Sequence, residues 1–507
     1  MSLNEIFIDI MKQLGYFVAN LSREFNSMPT DFRYQVIVNE FRDALGSENV
    51  SVRPVDLYAY SMDYYLAPQI WADRGLKPCQ PDIVVHPGST EEVARVVKIA
   101  SRHRLPVIPY GGGSGSQGGV TPLYGGVVVD VKRMDRILRI DDRSLTVTAQ
   151  PGINGQRLEW ALNRRGFTLA HYPASVYGAT LGGYIAARGS GTLSTKYGKA
   201  EDMVLSLEVV LPNGEVIRTL PVPNHACGPG LLQLFVGSEG TLGVITEVTI
   251  RIEPMPEARR FNAYLFEDIR AGLEAGRRIM TRRLQPCTLR LYDDNSSERI
   301  VKRVLGLDVR GCYMVVGADG EASAVERTLD AMAAICTEQG GRELGPELGE
   351  HWWRHRYDFY FPPHNLMLPE MSGTVETTTT YDKIYGIYRA KREAIEEGFK
   401  EFGARYIAHF SHWFPWGVMI YDRFIIPKPP QDPREALELH TMIWAKAART
   451  SLAHGGVLND HHGIGFKLGW LMPEQYGPAF AVLQAIKDAL DPQGIMNPGK
   501  FGFARRV

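Results

Sequence analysis

Six glycines occur within the eleven residues Pro109-Tyr-Gly-Gly-Gly-Ser-Gly-Ser-Gln-Gly-Gly119. The segment Gly113–Gly118 has the spacing G-x-G-x-x-G, which usually indicates a dinucleotide site that opens a helix. The apolar run at 105–108 predicts a strand before it, but residues 120–131 predict a turn and a second strand. The glycines therefore predict a strand–loop–strand cradle whose backbone N–H groups approach a phosphate. An exposed hairpin loop is the alternative at this point, and the missing Gly-Lys-Ser/Thr excludes a Walker loop.

The bulk composition is that of an ordinary globular protein. The chain has 507 residues, enough for two or three domains, and 44% of them are apolar and 22% charged. A net charge of −1 without a polybasic tract argues against a nucleic-acid partner. The five cysteines are scattered and form no C-x-x-C, which disfavours a disulfide framework, a zinc ribbon or a metal cluster. A reduced, cytoplasmic location is therefore the expectation.

The first residues of the chain are moderately apolar but interrupted by charges. Glu5, Asp9 and Lys12 break the apolar run, and no basic start precedes it. Neither a signal peptide nor a transmembrane segment is therefore expected. Residues 3–20 have the length and pattern of an amphipathic helix, which leaves peripheral contact with a membrane open as an alternative.

The predicted elements divide the chain into four parts. Residues 1–50 read as mostly helical, and 51–256 begin with strand 82–86, helix 90–103 and strand 105–109 before a strand-rich stretch. Pro254 and Pro256 mark a domain boundary. The part 257–450 reads as α+β, with helices at 268–282, 321–338 and 382–402 and strands at 288–292, 312–317 and 417–424. The part 451–507 is rich in glycine and histidine and predicts a helix at 474–490.

Three runs in this order along the chain resemble the vanillyl-alcohol oxidase / p-cresol methylhydroxylase (PCMH) family of flavoproteins. They are Pro109–Gly119, Gly237-Ser-Glu-Gly-Thr-Leu-Gly-Val-Ile245 and Asp491-Pro-Gln-Gly-Ile-Met-Asn-Pro-Gly-Lys500. The resemblance covers nearly the whole chain from residue 50 and implies FAD as the cofactor. It also implies an α+β fold. A PCMH-type FAD-binding domain of two α+β subdomains at 51–256 would precede an α+β substrate cap domain at 257–450, and a C-terminal segment at 451–507 would return to the flavin.

The resemblance further implies which residues hold FAD. The pyrophosphate is expected at the glycine loop, and other residues are expected along the ribityl, isoalloxazine and adenine parts. The implied cofactor-binding residues are Pro109, Tyr110, Gly111, Gly112, Gly113, Ser114, Gly115, Ser116, Gln117, Gly118, Pro173, Ser175, Thr180, Gly182, Gly183, Ser190, Glu239, Gly240, Thr241, Gly243, Val244, Ile245, Asn497 and Lys500. No histidine stands in the glycine loop, so a covalent flavin bond formed there is not expected, whereas a bond from a cap histidine stays open.

Within the family, D-lactate and D-2-hydroxyglutarate dehydrogenases usually hold a divalent metal with His-x6-His and a later Glu-His. In this chain His412 stands at the first position, but Met419 stands at the second. The later pair is His461-His462, followed by Gly-Ile-Gly465. A metal site of that type would lose an imidazole and a carboxylate, so no catalytic metal is expected.

A closer likeness is to the alkyldihydroxyacetonephosphate synthases, which use FAD to form an ether lipid. The runs that carry it are Thr288-Leu-Arg-Leu-Tyr-Asp-Asp-Asn295, Gly373-Thr-Val-Glu-Thr-Thr-Thr-Thr-Tyr-Asp382 and Asn459-Asp-His-His-Gly-Ile-Gly465. Arg290 matches a motif arginine of those enzymes, and Arg356 is the match for their substrate-carboxylate arginine. Asp460, His461 and His462 stand at three consecutive active-site histidines. The catalytic tyrosine falls at Phe414, which argues against the ether-forming reaction.

The candidate catalytic residues are three histidines and two arginines. His461, His462 and His412 are candidates for the base that takes a hydroxyl proton, because the usual histidine pKa is ~6.5. Unless the backbone turns sharply, only one of the adjacent pair is expected to face the flavin. A hydrogen-bonded turn and a core histidine are the alternatives. Arg290 and Arg356 are candidates to anchor a carboxylate or phosphate, with a buried partner and a surface salt bridge as the respective alternatives.

Together these features predict an FAD-dependent oxidoreductase that oxidises a hydroxyl-bearing organic substrate without a metal. The substrate classes are phenolic or aromatic alcohols and 2-hydroxy acids. An ether-lipid synthase without net oxidation and a non-catalytic flavoprotein partner are the alternatives. The electron acceptor stays open among oxygen, a cytochrome, an electron-transfer flavoprotein and a quinone, and a homodimer is expected. Aromatic residues of the cap, either core or pocket, are Trp352, Trp353, Trp413, Trp416, Phe359, Tyr360 and Phe361.

Overall fold

The computed structural model describes residues 32–73, 75, 78–360 and 369–504. The predicted amphipathic helix at 3–20 and Phe361 lie outside the described residues. None of the helices in the described ranges combines the length and the apolar character that a membrane span requires.

The first sheet carries the glycine loop. Its four strands lie in the order Val50–Ser51, Ile83–Val85, Val127–Asp130, Val107–Tyr110. The last two are parallel neighbours, and the glycine-rich segment connects them. Helix Thr90–His103 packs on this sheet through one apolar face and begins at Ser89, whose side chain accepts the Glu92 N–H. The loop therefore joins two strands, as predicted, and no helix starts within it.

The second sheet is antiparallel and has five strands. They lie in the order Ile137–Asp141, Thr146–Ala149, Val244–Arg251, Val204–Val210, Val216–Arg218. The last two form a hairpin around the Asn-Gly turn at 213–214. Strand Val244–Arg251 alternates buried and half-buried residues, which is the pattern of a strand with one face in the core.

The third sheet forms the largest core of the described chain. Its strands lie in the order Arg342–Gly345, Ala258–Phe266, Cys312–Gly320, Thr288–Tyr292, Arg405–Phe414, Gly417–Ile426, Met371–Thr374, and Thr377–Thr380 also pairs with Gly417–Ile426. Helices Ile269–Thr281, Ala322–Glu338, Tyr381–Glu396 and Pro433–Ala453 share its core. Strand Thr288–Tyr292 is buried at every position, so Arg290 lies inside the protein. The predicted boundary near 256 falls just before this sheet and stays a prediction.

The C-terminal segment returns to the first sheet. Met496 bridges Val107 in parallel, the Val107 N–H donates to Ile495 O at 2.8 Å, and the Asn497 N–H donates to Val107 O at 2.8 Å. The single helix predicted at 474–490 is wrong. Helix Met472–Tyr476 and the 3-10 turn Gly477–Ala479 precede helix Phe480–Leu490, because Gly477 has a positive φ and Pro478 lacks an N–H.

One further difference concerns the length of a helix. The helix predicted at 382–402 ends at Glu396, and a 3-10 turn follows at Lys400–Phe402. The remaining helices and turns are Phe32–Leu45, Ser47–Asn49, Pro54–Ala59, Leu66–Asp73, Val131–Arg133, Gly155–Asn163, Leu181–Ala186, Ser194–Tyr197, Ala200–Met203, Leu232–Phe235, Asp294–Ser296, Ser297–Val301, Lys302–Leu305, Pro346–Arg354, Asp358–Tyr360 and Gly465–Gly469. A two-stranded ribbon joins Phe167–Thr168 to Glu253–Pro254. The architecture is the predicted α+β class.

Candidate active site

A cavity of about 600 Å³ lies between the glycine loop and the third sheet. The glycine loop and residues 172–192 form one wall. Side chains from strands Thr288–Tyr292, Arg405–Phe414 and Gly417–Ile426, together with the loop at 461–467, form the other. The cavity therefore joins the motif predicted to hold a cofactor with the motifs predicted to carry chemistry.

The glycine loop is packed so closely that side chains are excluded. A Cβ on Gly112 would lie 2.9 Å from the carbonyl carbon of Gly178 and 3.0 Å from Ala179 Cα. Gly113 has a φ of +63°, and a Cβ there would lie 2.7 Å from the Tyr110 ring carbon Cζ. A pyrophosphate can approach backbone N–H groups closely only where no side chains intervene. The loop therefore fits the pyrophosphate of FAD.

Most residues that the sequence assigned to the cofactor line this cavity. They are Pro109, Tyr110, Gly111, Gly112, Gly113, Ser114, Gly115, Ser116, Gln117, Pro173, Ser175, Thr180, Gly182, Gly183, Ser190, Glu239, Gly240, Gly243, Val244 and Ile245. Four others do not line it: Gly118, Thr241, Asn497 and Lys500. Asn497 Nδ2 donates to Gly119 O and Glu239 O at 2.8 and 2.7 Å, and Lys500 Nζ donates to Thr121 O at 2.7 Å. The side chains of Asn497 and Lys500 thus stabilise the backbone behind the cavity wall.

Glu239 joins two of the sequence motifs. Its carboxylate accepts the backbone N–H groups of Ile464 and Gly465, the latter at 2.7 Å. Burial raises the pKa of this carboxyl to about 7, against the lowering effect of those two N–H groups. The Gly237–Ile245 run thereby fixes the loop that carries His461 and His462.

His461 and His462 share one buried carboxylate that the sequence analysis missed. Glu376 Oε1 accepts the backbone N–H groups of His461 and His462 at 3.3 and 3.1 Å. Its Oε2 lies 3.3 Å from His461 Nδ1 and 2.9 Å from His462 Nδ1. Burial would raise the pKa of Glu376, but the two imidazoles lower it to about 2. The available sequence signal was the position of Glu376 within the run Gly373–Asp382, which carries the likeness to the alkyldihydroxyacetonephosphate synthases.

Both imidazoles of the pair line the cavity. Asn459 Oδ1 accepts the N–H groups of His461 and His462 at 3.1 and 3.0 Å, so the backbone turns sharply here. The two ring centroids lie 4.1 Å apart. The sharp turn that the sequence analysis required for both histidines to face the cavity is therefore present.

His412 reaches the same cavity from a bulged strand. The pairing of strands Arg405–Phe414 and Gly417–Ile426 shifts register between Phe410 and Trp413, and both Ser411 and His412 line the cavity. In a regular strand two successive side chains point to opposite faces, and a bulge removes that alternation. His412 Nε2 lies 2.7 Å from Ser190 Oγ, and its Nδ1 lies 3.0 Å from Asp460 Oδ2. Burial lowers the pKa of His412.

The two candidate arginines occupy different places. Arg290 lines the cavity, donates to the Tyr360 hydroxyl at 3.1 Å, and lies over the Trp352 ring. No carboxylate forms an ion pair with it among residues 32–73, 75, 78–360 and 369–504. Arg356 does not line the cavity. Its guanidinium packs 4.0 Å from the Trp353 ring centroid, and the ring of Tyr172, which lines the cavity, lies 5.7 Å away.

The tyrosine position read from the motifs lies away from the cavity. Phe414 does not line it and stacks on Trp416, with ring centroids 6.1 Å apart. Tyr421, seven residues further on, does line it, and its ring centroid lies 5.5 Å from that of His462. Burial raises the pKa of Tyr421. A half-buried phenol therefore faces the histidine pair, and the sequence analysis missed it.

The aromatic residues of the cap divide between core and cavity. Trp352, Trp413 and Phe359 are buried in the core, whereas Tyr360 lines the cavity. Trp416 is 68% exposed.

The sequence analysis also missed Lys467. Its side chain lines the cavity and donates to Thr374 O at 3.3 Å, and burial lowers its pKa to about 7.

Imidazole and carboxylate atoms gather closely at this site. One group joins Glu376, His461 and His462, and another joins His412, Asp460 and His461, with ligand-type atoms within 4.8 Å in each group. Glu376 and Asp460 are carboxylates that the motif comparison with the metal-dependent dehydrogenases did not count. The expectation of no catalytic metal stays a prediction.

Comparison with known proteins agrees with the cofactor cradle. A model described as "FAD binding domain" matches residues 81–220, and one described as "FAD linked oxidases, C-terminal domain" matches residues 255–501. The glycolate oxidase subunit GlcD of Bacillus subtilis (strain 168) is 30% identical, over 83% of this chain and 88% of that protein. The chain belongs to the FAD-linked oxidases. It therefore binds FAD, as the resemblance carried by the three sequence runs implied.

The chain is also similar to two other proteins with different activities in their names. An alkyldihydroxyacetonephosphate synthase of Trypanosoma brucei brucei is 29% identical to this FAD-linked oxidase, over 97% of the chain and 86% of that protein. The solved structure of p-cresol methylhydroxylase with substrate bound superposes with a TM-score of 0.76 at 19% identity, over 94% of this chain and 98% of that chain. The predicted PCMH-type fold and the resemblance to both groups of enzymes are confirmed.

Proposed function

We propose that this protein is an FAD-dependent oxidoreductase that oxidises a hydroxyl-bearing organic substrate, with a histidine as the base and without a metal. The substrate is a phenolic or aromatic alcohol or a 2-hydroxy acid. One observation carries the proposal. The imidazoles of His412, His461 and His462 face the cavity that contains the glycine cradle, and each lies within 3.3 Å of a buried carboxylate oxygen.

The residues around the cavity suit an alcohol oxidation. FAD, when bound, accepts the hydride. The protein then has to take the hydroxyl proton and orient the substrate, and imidazoles next to carboxylates suit the first task. Arg290 suits the second, because a buried guanidinium that has no acidic partner among the described residues binds a carboxylate or phosphate strongly.

The test is anaerobic mixing of the purified holoprotein with a panel of 2-hydroxy acids and phenolic and benzylic alcohols. Bleaching of the oxidised flavin absorbance by one class, followed by reoxidation with oxygen, a cytochrome, an electron-transfer flavoprotein or a quinone, is the expected result. If the holoprotein turns over a panel member and loses no turnover when His461 and His462 are both replaced by alanine, the base is not one of these two, and His412 is left. No flavin reduction by any panel member would argue against the oxidoreductase.

An ether-lipid synthase is the second candidate, and Tyr421 favours it. The motif comparison placed a phenylalanine at the tyrosine position of those enzymes, but the half-buried Tyr421 faces the histidine pair from the next strand. Acyl-dihydroxyacetone phosphate should then bleach the flavin without any electron acceptor and release a fatty acid. Reduction by a simple alcohol would instead favour the oxidoreductase.

Replacement of Arg290 by glutamine is expected to weaken binding of a carboxylate- or phosphate-bearing substrate about tenfold to a hundredfold, read as KM. A charge-assisted hydrogen bond contributes about 1.5–3 kcal/mol. The exposed Arg260 is the matched control, because its guanidinium bonds only to a neighbouring carbonyl in the described structure. An unchanged KM in Arg290→Gln would show that the anchor is elsewhere.

Removal of divalent metals is expected to leave turnover unchanged. Glu376 and Asp460 already engage the three imidazoles in ion pairs or hydrogen bonds, and the pairs need no cation to hold them. Activity is measured after dialysis against a chelator, and the metal content of the untreated protein is measured by mass spectrometry. Stoichiometric metal together with activity lost on chelation would overturn the prediction.

A further inference from the structure

Ser190, His412 and Asp460 form an unbroken chain of polar contacts at the cavity wall. Ser190 Oγ lies 2.7 Å from His412 Nε2, and His412 Nδ1 lies 3.0 Å from Asp460 Oδ2. All three side chains are buried, yet Ser190 and His412 both line the cavity. This series of polar contacts continues to Lys199. Its Nζ lies 3.6 Å from Asp460 Oδ1 and donates to Asp460 O at 2.6 Å.

The direction of each hydrogen bond follows from Asp460. Burial would raise the pKa of Asp460, but Lys199 and the imidazoles of His412 and His461 lower it well below its usual range. An ionised carboxylate only accepts hydrogen bonds, so His412 Nδ1 carries the hydrogen. In a neutral imidazole the other nitrogen is then bare. His412 Nε2 therefore accepts the Ser190 hydroxyl hydrogen, and the lone pairs of Ser190 Oγ are left for a ligand.

We propose that Ser190 and His412 form a proton relay, in which Ser190 Oγ contacts the substrate hydroxyl and His412 Nε2 is the final proton acceptor. This inference rests on the proposed function and names its base. The substrate O–H proton passes to Ser190 Oγ as the serine proton passes to His412 Nε2. The substrate C–H bond breaks, its hydride goes to the bound FAD, and a C=O bond forms. Asp460 holds the resulting imidazolium and is a positioning residue.

The His461 and His462 imidazoles are less suited to this step. Their Nδ1 atoms lie next to Glu376 Oε2, and the side chain of His462 is 23% exposed, against 5% for His412. A base in water-excluded surroundings takes its proton from the substrate rather than from solvent. The charged and titratable groups that act on His412 are Asp460, Lys199, Arg290, His171, His409 and His461.

The kinetic test compares variants in the rate of anaerobic flavin reduction by the best alcohol of the panel. Ser190→Ala is expected to slow this rate about 10²–10⁴-fold, because general base catalysis contributes that much. Ser190→Thr, which keeps a hydroxyl, should recover most of the rate. Ser451→Ala is the control, since Ser451 is equally buried but bonds only within its own helix in the described chain.

The relay differs from a purely structural role of Ser190 in three measurements. FAD content and melting temperature of Ser190→Ala should match those of Ser451→Ala. Asp460→Asn should lower the rate at unchanged KM, because an amide can present an N–H to Nδ1 and favour the wrong tautomer. Ser190→Ala within about threefold of wild type, with His461→Ala or His462→Ala slower by orders of magnitude, would overturn the relay.

A measurement without substrate separates failure of the relay from failure of the proposed function. In ¹⁵N-histidine-labelled holoprotein, His412, assigned through His412→Asn, should show a protonated Nδ1 and a bare Nε2. Its Nε2 signal should move in Ser190→Ala and not in Ser451→Ala. A protonated Nε2 would overturn the relay whatever the substrate. The expected tautomer together with no flavin reduction by any alcohol would instead contradict the oxidoreductase.

Discussion

Gly112→Ala is expected to abolish FAD binding. A Cβ at this position would lie 2.9 Å from the carbonyl carbon of Gly178 and 3.0 Å from Ala179 Cα, and it would be closer still to the Gly178 oxygen. These are backbone atoms that cannot rotate aside, so the loop has to move away from the wall that faces the cofactor. Gly113→Val should have the same effect, because its φ of +63° disfavours a β-branched residue.

The measurement is the flavin content of the purified variant, with and without added FAD, together with its melting temperature. Gly115→Ala is the matched control within the same loop. Its added Cβ would meet only Asp63 Oδ2, at 3.7 Å, which is an ordinary van der Waals contact. Full flavin occupancy in Gly112→Ala would contradict the placement of the cofactor at this loop, and loss of flavin in both variants would show that the loop tolerates no change at all.

Lys391→Met is expected to lower the free energy of unfolding by about 3–5 kcal/mol. Lys391 and Asp422 form a fully buried ion pair, with both side chains at 0% exposure and Nζ 2.6 Å from Oδ2. Lys391 Nζ also donates to Val375 O, next to Glu376, and Tyr406 donates to Asp422 at 2.7 Å. Removal of the cation leaves a buried carboxylate unpaired, and this accounts for the large effect.

Urea unfolding of the holoprotein gives the measurement. The double variant Lys391→Met/Asp422→Asn should recover part of the loss, because it removes the unpaired charge. Lys383→Met, on the exposed side of the same helix, should change stability by less than about 0.5 kcal/mol. If Lys391→Met and Lys383→Met unfold at the same urea concentration, the buried pair contributes nothing.

The glycine loop and its two partner runs could be predicted from sequence because their chemistry is local. A strand before the loop and a strand after it decide between two kinds of dinucleotide site, and both lie within 25 residues of it. The runs Gly237–Ile245 and Asp491–Lys500 complete the resemblance that implies FAD as the cofactor. The α+β class follows from the order of short periodic segments. The helix predicted at 474–490 is wrong because Gly477-Pro478 interrupts it.

The contacts of the site could not be predicted because they join distant parts of the chain. Ser190 and His412 lie 222 residues apart, and Glu376 and His461 lie 85 residues apart. No periodicity or spacing encodes such a pair. Tyr421 was missed because it reaches the cavity from the strand after the turn, and no motif of the sequence marks its position. Side chains that reach a common cavity from different elements become visible only in three dimensions.

The C-terminal segment that bridges the strand before the glycine loop has a consequence for biosynthesis. Asn497 donates to Gly119 across 378 residues, and Lys500 donates to Thr121 across 379. While the chain is still on the ribosome, the loop has emerged long before the residues that brace it. In a nascent chain the glycine loop therefore lacks these contacts until Asn497 and Lys500 have emerged. We expect flavin to bind only after that point, as a late step of maturation.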